Sequence, residues 1–325
     1  MKKVTIIAGP CAVESEEQIV RIAIKLKQIG VDYLRGGAFK PRTNPDSFQG
    51  LGDLGIDYLL KAKEITGLPI VTELMTIEQV RKYADKIDII QIGSRNMYNY
   101  ELLKELSHYS KPVLLKRGLS ATYNEWINAA KYINNEDKVI LCERGIRSFD
   151  TTTRNVLDIQ AVPYIKNNTK HKIFVDPSHA SGNRYMIEPM SLASVVAGCD
   201  GLIIEVHDKP DESLCDKNQA INVETLQTII DKVKKLQEDE IRKRNMTRNH
   251  ILKGIWLEET IINSQRRVLE TFAENIIGKL SDNNIVTKTL DTTNISDQEL
   301  LAYFLDFANS IVLSNDKTKG GRKKW

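Results

Sequence analysis

The most regular feature of the chain is the alternation of short apolar runs with amphipathic segments over Met1–Gln237. The apolar runs are short and continuous, which is typical of parallel strands buried on both faces. The predicted strands are Val4–Ala8, Asp32–Arg35, Pro69–Thr72, Ile87–Ile92, Pro112–Lys116, Lys138–Cys142, Ile173–Asp176 and Gly201–Glu205. The predicted helices are Glu16–Gln28, Ile56–Glu64, Ile77–Tyr83, Tyr100–His108, Tyr123–Ile133, Val156–Asn167, Met190–Ala197 and Asn222–Leu236.

This repeat predicts an α/β fold. Eight strand–helix units fit the size of a closed (β/α)8 barrel, that is, a TIM barrel. An open, doubly wound sheet is the structural alternative. No GxGxxG follows the first strand, so a dinucleotide-binding version of the open sheet is disfavoured.

The pattern changes after Gln237. A run dense in charge, Glu238–Lys253, is followed by apolar positions at helical spacing and then by a shorter helical pattern. We therefore predict a barrel domain at residues 1–237 and a small all-α extension at 238–325. The apolar positions of the two helices are Ile251, Ile255, Ile262, Leu269, Phe272, Ile276, Leu280, Leu300, Phe304, Phe307 and Ile311.

Composition and charge exclude several classes of protein. The 325 residues are 41% hydrophobic and 27% charged, with a net charge of only +3, so no nucleic-acid partner is expected. There is no apolar run long enough to span a membrane and no pattern typical of a secretory signal. The cysteines are far apart and form no CxxC pair, which favours a reducing, cytoplasmic location; they are Cys11, Cys142, Cys199 and Cys215.

Candidate chemistry follows the strands, because active sites of (β/α)8 barrels lie at the C-terminal ends of the strands. A charged or metal-binding residue follows each predicted strand: Cys11, Arg35, Glu73, Arg95, Lys116, Arg144, His179 and Glu205. Cys11, His179 and Glu205, with Asp216 in the last loop, suit a divalent ion such as Mn, Fe, Co or Zn and do not suit calcium. Taken alone, Cys11 also fits a small buried residue, and His179 a core or capping histidine.

The second group is cationic and predicts a strongly anionic ligand with more than one phosphate. Each of these side chains, taken alone, also fits a solvated or structural charge. The group comprises Arg35, Lys40, Arg42, Arg95, Lys116, Arg117 and Arg144.

The strings that carry these residues resemble 3-deoxy-D-arabino-heptulosonate 7-phosphate (DAHP) synthase, the first enzyme of the shikimate pathway. The compact bacterial type I-beta subtype, related to 3-deoxy-octulosonate 8-phosphate synthase, is most similar, over Lys3–Gln237. The segment Lys40–Pro45 resembles the family's erythrose 4-phosphate motif. The strings are AGPCAVES (8–15), RGGAFKPRTNPDSFQGLG (35–52), TELM (72–75), QIGSRNM (91–97), LLKRGLS (114–120), CERGIRSFDTTTRNVLDIQAVP (142–163), DPSHASGNR (176–184) and EVHDKPDESLCDKNQA (205–220).

The resemblance implies a metal-dependent, aldol-type condensation of phosphoenolpyruvate with erythrose 4-phosphate. It implies one divalent metal ion on Cys11, His179, Glu205 and Asp216. It implies catalytic roles for Lys40, Lys116 and Glu73. The substrate-binding residues that it implies are Arg35, Lys40, Arg42, Thr43, Arg95, Lys116, Arg144 and His207.

The sequence departs from the family pattern at the last metal ligand. The family usually has Ser-Asp-Gly-X-Gln-Ser there, whereas Leu214–Ala220 reads LCDKNQA, with Lys217 in place of glycine. Because glycine gives backbone freedom, this departure predicts an altered loop geometry and metal affinity.

Two other functions stay open at this point. One is a sister synthase for another aldose phosphate, either arabinose 5-phosphate or an amino-sugar analogue. The other is a non-catalytic scaffold barrel. The extension at 238–325 fits a regulatory or oligomerisation module, a chorismate mutase or a docking segment for a partner enzyme. Adjacent Arg266 and Arg267 point to different helix faces, which disfavours the mutase. The resemblance implies a homo-oligomer, dimer or tetramer.

Overall fold

The computed structural model describes residues 3–41, 44 and 46–239. They form a closed barrel of eight parallel strands in sequential order, in which β1 pairs with β8. The predicted (β/α)8 barrel is therefore confirmed, and the open sheet is excluded. The strands are β1 Thr5–Gly9, β2 Tyr33–Arg35, β3 Ile70–Glu73, β4 Ile89–Ile92, β5 Val113–Lys116, β6 Val139–Glu143, β7 Lys172–Val175 and β8 Gly201–Glu205.

Nine α-helices occur within these described residues, and most of them cover the outside of the strands. They are α1 Glu16–Gln28, α2 Asp53–Thr66, α3 Ile77–Tyr83, α4 Tyr100–Leu106, α5 Tyr123–Lys131, α6 Ala161–Asn168, α7 Pro177–Ser181, α8 Arg184–Val196 and α9, residues 223–239. The starts of several helices are set by side chains that cap free backbone N–H groups. Thr122 and Glu125, for example, form a reciprocal capping box at α5.

The strands are buried on both faces, which explains their continuous apolar runs. A small cluster fills the inside of the barrel, and Ile7, Leu114 and Phe174 belong to it. A much larger apolar layer lies between strands and helices. Gly201 is required beside Phe174, because a Cβ at position 201 would lie 2.6 Å from the ring.

The largest errors in the helix predictions are two wrong starts and one missed helix. The helix expected from Val156 begins at Ala161, because Val156 instead forms a backbone bridge with Ile146. The helix expected from Met190 begins at Arg184 and contains Pro189. The short α7 was not predicted at all, although Asp176 caps its first turn by accepting a hydrogen bond from the backbone N–H of His179.

The predicted extension, 238–325, lies outside the described residues except for its first two positions, which continue α9. Its helices and its proposed roles stay predictions. All four cysteines are free thiols in the described barrel. Among the described residues, none of the helices combines the length and the apolar character needed to cross a membrane.

Candidate active site

A cavity of about 360 Å³ opens at the C-terminal ends of the strands. Its wall is strongly polar and includes two acids, one histidine and seven cations. The cations are Arg35, Lys40, Arg95, Lys116, Arg144, Arg147 and Arg154. Such a surplus of positive charge in a chain of near-neutral net charge marks a site for anionic ligands.

Four potential metal ligands converge at one side of this cavity. One donor atom from each of Cys11, His179, Glu205 and Asp216 lies within 4.8 Å of all the others. The thiol of Cys11 donates to Asp216 Oδ2 over 3.3 Å, and His179 Nε2 lies 3.1 Å from Glu205 Oε1. One sulfur, one nitrogen and two carboxylate groups fit a divalent transition ion, so the donor set matches the predicted cofactor.

His179 is oriented by Asp176, which lies behind it. His179 Nδ1 lies 2.6 Å from Asp176 Oδ2, so Nδ1 carries the proton and Nε2 faces the other ligands. Burial lowers the pKa of His179, but Asp176 and Glu205 outweigh burial and raise it to about 9. A carboxylate behind a histidine is the usual support of a metal-binding imidazole.

Glu205 is fully buried and has a separate partner for each oxygen. Arg35 Nη1 donates to Oε1 over 3.0 Å, and Gln219 Nε2 donates to Oε2 over 2.6 Å. Burial raises the pKa of Glu205, but His179 and Arg35 reverse this effect and hold it well below the usual range. Glu205 is therefore an anion at neutral pH.

Cys11 is buried beside Lys40, whose Nζ donates to the Cys11 sulfur over 3.0 Å and to its carbonyl oxygen over 2.8 Å. A hydrogen bond with Cys215 and burial raise the pKa of the Cys11 thiol well above its usual value. A metal ion that binds here must therefore displace the thiol proton.

The loop that carries Asp216 differs from the sequence-based expectation. Asp216 itself has a φ of +53°, and Lys217 is not among the described residues with positive φ. Aspartate tolerates the left-handed region better than most residues. Lys217 therefore replaces glycine without backbone strain, and the altered geometry that the missing glycine predicted is not found at that position.

Arg144 is a cation without a bound partner on one of its nitrogens. It is only 6% exposed, and its Nη1 is buried with no hydrogen-bond acceptor. Burial is the largest cause of a lowered pKa at Arg144. A buried, unpaired guanidinium N–H is costly, and an anion in the cavity would satisfy it.

Glu73 ends β3 and reaches into the cavity beside β4. Gln91 Nε2 donates to Glu73 Oε2 over 3.2 Å, whereas Oε1 is buried without a partner. Gly93 makes room for this carboxylate, because a Cβ there would lie 2.1 Å from Oε1.

Two predicted residues lie away from the cavity. His207 is buried among other groups: Lys209 N–H donates to its Nδ1 over 3.0 Å, and its Nε2 faces Gln18. Its predicted substrate contact stays a prediction. Arg117, expected at the mouth, instead donates to Glu143 and Asp158.

Arg42 and Thr43, predicted to bind the sugar phosphate, lie outside the described residues. The remaining predicted residues line the cavity or belong to the ligand cluster. Arg147, Arg154, Asp176 and Gln219 were missed. The two arginines lie inside the string CERGIRSFDTTTRN, but they follow no strand end, so position along the barrel did not single them out.

The fold and this site define a (β/α)8-barrel protein with a candidate metal-ligand cluster beside a strongly cationic cavity. A family model, the DAHP synthetase I family, matches residues 1–241, and the chain belongs to that family. The resemblance found in the sequence is thus confirmed, and the chain is an enzyme of the DAHP synthase type.

Individual relatives agree with this assignment. A phospho-2-dehydro-3-deoxyheptonate aldolase of Thermotoga maritima is 47% identical over 236 residues, covering 72% of this chain and 70% of the relative. A crystal structure of the Thermotoga maritima protein superposes with a TM-score of 0.70 at 46% identity, covering 73% and 69% of the two chains. A 2-dehydro-3-deoxyphosphooctonate aldolase of Geobacter sp. strain M21 is 28% identical, covering 72% and 92%.

Proposed function

We propose that this enzyme condenses phosphoenolpyruvate with erythrose 4-phosphate in a metal-dependent reaction that yields DAHP and phosphate. The observation that carries the proposal is the placement of a four-residue ligand cluster on the wall of a cavity lined by seven cations. Both substrates are phosphorylated, and phosphoenolpyruvate also has a carboxylate. The positive charge of the cavity is therefore complementary to the negative charge of the two substrates.

Cys11, His179, Glu205 and Asp216 would hold the divalent ion. A bound ion there supplies Lewis-acid polarisation of the aldehyde carbonyl. The chain contributes orientation: Asp176 fixes the imidazole of His179, while Arg35 and Gln219 fix the carboxylate of Glu205.

We assign phosphoenolpyruvate to the side of the cavity formed by Arg95, Lys116 and Arg144. The unpaired Nη1 of Arg144 has no other acceptor among the described residues. Lys116 Nζ is held by Asp176 at 2.5 Å, so its position is fixed before a substrate binds. Arg35 lies next to them and balances the charge of Glu205. Fixed cations of this kind stabilise charge that develops during the reaction.

We assign the aldose to the side of the cavity near Lys40. Lys40 Nζ lies 3.0 Å from the Cys11 sulfur, so its ammonium group faces the cavity beside the proposed ligand cluster. It is suited to deliver a proton to the aldehyde oxygen as the new bond forms. Arg42 and Thr43 are proposed to bind the sugar phosphate.

In the proposed reaction, C3 of phosphoenolpyruvate forms a bond to the aldehyde carbon, and the aldehyde oxygen takes a proton. Water adds to C2, and the C2–O bond breaks to release phosphate. Glu73 Oε1 is buried, unpaired and on the cavity wall. We propose that Glu73 accepts a hydrogen bond from that water and orients it.

The test is the disappearance of phosphoenolpyruvate with erythrose 4-phosphate, Mn(II) and the full chain. We expect turnover, its loss in excess chelator, and no turnover in Cys11→Ala. The matched control is Cys199→Ala, a buried free cysteine that is not among the predicted ligands. Absence of turnover in folded, metal-loaded protein would overturn the proposal.

The competing sugar is tested in the same assay. Relatives at 28% identity are named 2-dehydro-3-deoxyphosphooctonate aldolases, so arabinose 5-phosphate is the comparison substrate. We expect kcat/KM to favour erythrose 4-phosphate, and a preference for the five-carbon sugar would identify a sister synthase. The cytoplasmic location, the homo-oligomer and a partner enzyme for the extension stay predictions.

A further inference from the structure

Three polar side chains, joined by hydrogen bonds, connect the wall of the cavity to the ligand cluster. Arg154 Nη1 donates to Gln219 Oε1 over 2.9 Å, and Gln219 Nε2 donates to Glu205 Oε2 over 2.6 Å. Gln219 is 2% exposed and Glu205 is fully buried. Arg154 lines the cavity.

The orientation of the Gln219 amide is fixed by the donor and acceptor groups of its two partners. An arginine only donates hydrogen bonds, and a carboxylate only accepts them. The amide oxygen must therefore face Arg154, and the amide nitrogen must face Glu205. Reversing the amide would break both bonds, so the side chain has one satisfied arrangement.

This arrangement selects the oxygen of Glu205 that faces the cluster. Gln219 engages Oε2, which leaves Oε1 at 3.1 Å from His179 Nε2. Without the amide, Arg35 and His179 would still hold Oε1, but Oε2 would lose its hydrogen-bond partner and the plane of the carboxylate would be free to turn. Gln219 therefore fixes the donor geometry at Glu205.

Arg154 also contacts a second proposed metal ligand, Asp216. Its Nη1 also lies 3.4 Å from Asp216 Oδ2, so one guanidinium group contacts both the amide that holds Glu205 and the carboxylate of Asp216. The backbone N–H of Arg154 donates to Ser181 O over 3.1 Å. Ser181 belongs to α7, the helix that carries His179. Arg154 is thus anchored to the ligand-bearing helix.

We propose that Gln219 and Arg154 are positioning residues that set the affinity and geometry of the metal site. Gln219 orients Glu205, while Arg154 holds the amide of Gln219 and steadies Asp216. The inference rests on the proposed function in one respect, namely that an ion binds to Cys11, His179, Glu205 and Asp216.

The experiment measures metal binding directly and does not depend on turnover. Co(II) is titrated into the chelator-stripped full chain, with a competing chelator to obtain the dissociation constant. The absorption band of a cobalt–thiolate bond reports ligation by Cys11, and the visible bands report coordination geometry. The variants are Gln219→Leu, Arg154→Met and Arg154→Lys.

We expect Gln219→Leu to weaken Co(II) binding about 10- to 100-fold, in the range found for residues that support metal ligands. The visible bands should change while the thiolate band persists. Arg154→Met should lose about tenfold, and Arg154→Lys should recover part of that loss because it still donates to the amide. Gln79→Leu is the matched control, since Gln79 accepts a hydrogen bond from the Met75 backbone N–H and belongs neither to the cavity lining nor to the ligand cluster.

The possible results test the positioning role and the metal site separately. Wild-type affinity and spectrum in both Gln219→Leu and Arg154→Met would overturn the positioning role alone. Weakened binding in Arg154→Met carries the inference even if Gln219→Leu fails to fold, because Arg154 is partly exposed and its replacement is expected to leave the fold intact. Absence of Co(II) binding by the unmodified chain would overturn the metal site itself, and this inference with it.

Discussion

Lys116 and His179 donate to the same oxygen atom, Oδ2 of Asp176, over 2.5 and 2.6 Å. Asp176 is fully buried, and its pKa is held well below the usual range, because His179 and Lys116 outweigh the effect of burial. One carboxylate therefore orients both a proposed metal ligand and a proposed substrate cation. The proposed metal site and the proposed phosphoenolpyruvate site therefore share this hydrogen-bond acceptor.

Asp176→Asn should weaken metal binding about 10- to 100-fold, because the amide no longer accepts the Nδ1 proton of His179 as strongly as the carboxylate. It should also raise KM for phosphoenolpyruvate, since Lys116 loses its anchor. The measurements are a Co(II) dissociation constant and steady-state kinetics at saturating metal. Asp32→Asn is the control, because Asp32 precedes β2 at the opposite end of the barrel. Equal effects of the two substitutions would contradict the prediction.

Arg144→Gln should raise KM for phosphoenolpyruvate about 10- to 100-fold. The reason is the loss of a charge-assisted hydrogen bond from the buried guanidinium, worth about 1.5–3 kcal/mol. Arg144→Lys should recover only part of the affinity, since lysine lacks the planar pair of donors. Steady-state kinetics measure both. Arg81→Gln, on the exposed α3–α4 surface, should leave KM unchanged.

The stability of the chelator-stripped protein should fall as pH rises from about 6.5 to 9. The pKa of His179 is raised from 6.5 to about 9 by Asp176 and Glu205 against the effect of burial. The folded state then binds the extra proton, so its stabilisation is complete below pH 6.5 and is lost as pH rises through 9. The loss is on the order of 3 kcal/mol, from the size of the pKa change.

Urea denaturation at several pH values measures this loss. The His179→Gln variant should lack the corresponding part of the slope, whereas a substitution of the exposed His108 should keep it. A slope that is identical in wild type and His179→Gln would show that the imidazolium of His179 does not stabilise the fold.

Gly93→Ala should lower kcat about 10- to 100-fold with little loss of stability. The new Cβ would lie 2.1 Å from Glu73 Oε1, and the atom that must move is the end of a flexible side chain. The carboxylate would therefore leave its position while the fold is retained. The kcat of Glu73→Gln gives the comparison. Unchanged kcat in Gly93→Ala would remove Glu73 from the proposed reaction.

Lys217→Gly should leave the Co(II) dissociation constant within about twofold of wild type. The positive φ belongs to Asp216, so glycine at 217 relieves no strain. Stability should fall by less than about 1 kcal/mol, because glycine adds freedom to the unfolded chain. A tenfold gain in metal affinity would mean that Lys217 does distort the loop.

The sequence predicted the barrel well because buried parallel strands leave a strong, continuous apolar pattern. Predicted strand ends were mostly within one or two residues, as at Val4–Ala8 against Thr5–Gly9. The residues after the strands were predictable for the same reason, since the barrel brings every strand end to one rim. The four candidate ligands meet there, although they span the chain from Cys11 to Asp216.

Loop geometry could not be predicted in this way. Arg154 and Gln219 have no periodic signal, and only the folded chain places them beside Glu205 and Asp216. The contact between His207 and Gln18 of α1 could not be predicted either, because the two residues are 189 positions apart in the sequence. The start of α8 was missed because Pro189, inside the helix, favours a helix that begins next to it.

Closure of the barrel has a consequence for synthesis of the chain. Gly9 of β1 pairs with Glu205 of β8, so β1 cannot complete its pairing until β8 has formed. Cys11 likewise contacts Asp216 at a sequence separation of 205 residues. A contact of such long range is expected to form late in folding. A nascent chain that ends before β8 contains seven strands and all seven cations of the cavity, yet it lacks Glu205 and Asp216. Metal capture should therefore coincide with the final ring closure, and a ribosome-stalled fragment should gain cobalt binding only once β8 and the Asp216 loop have emerged.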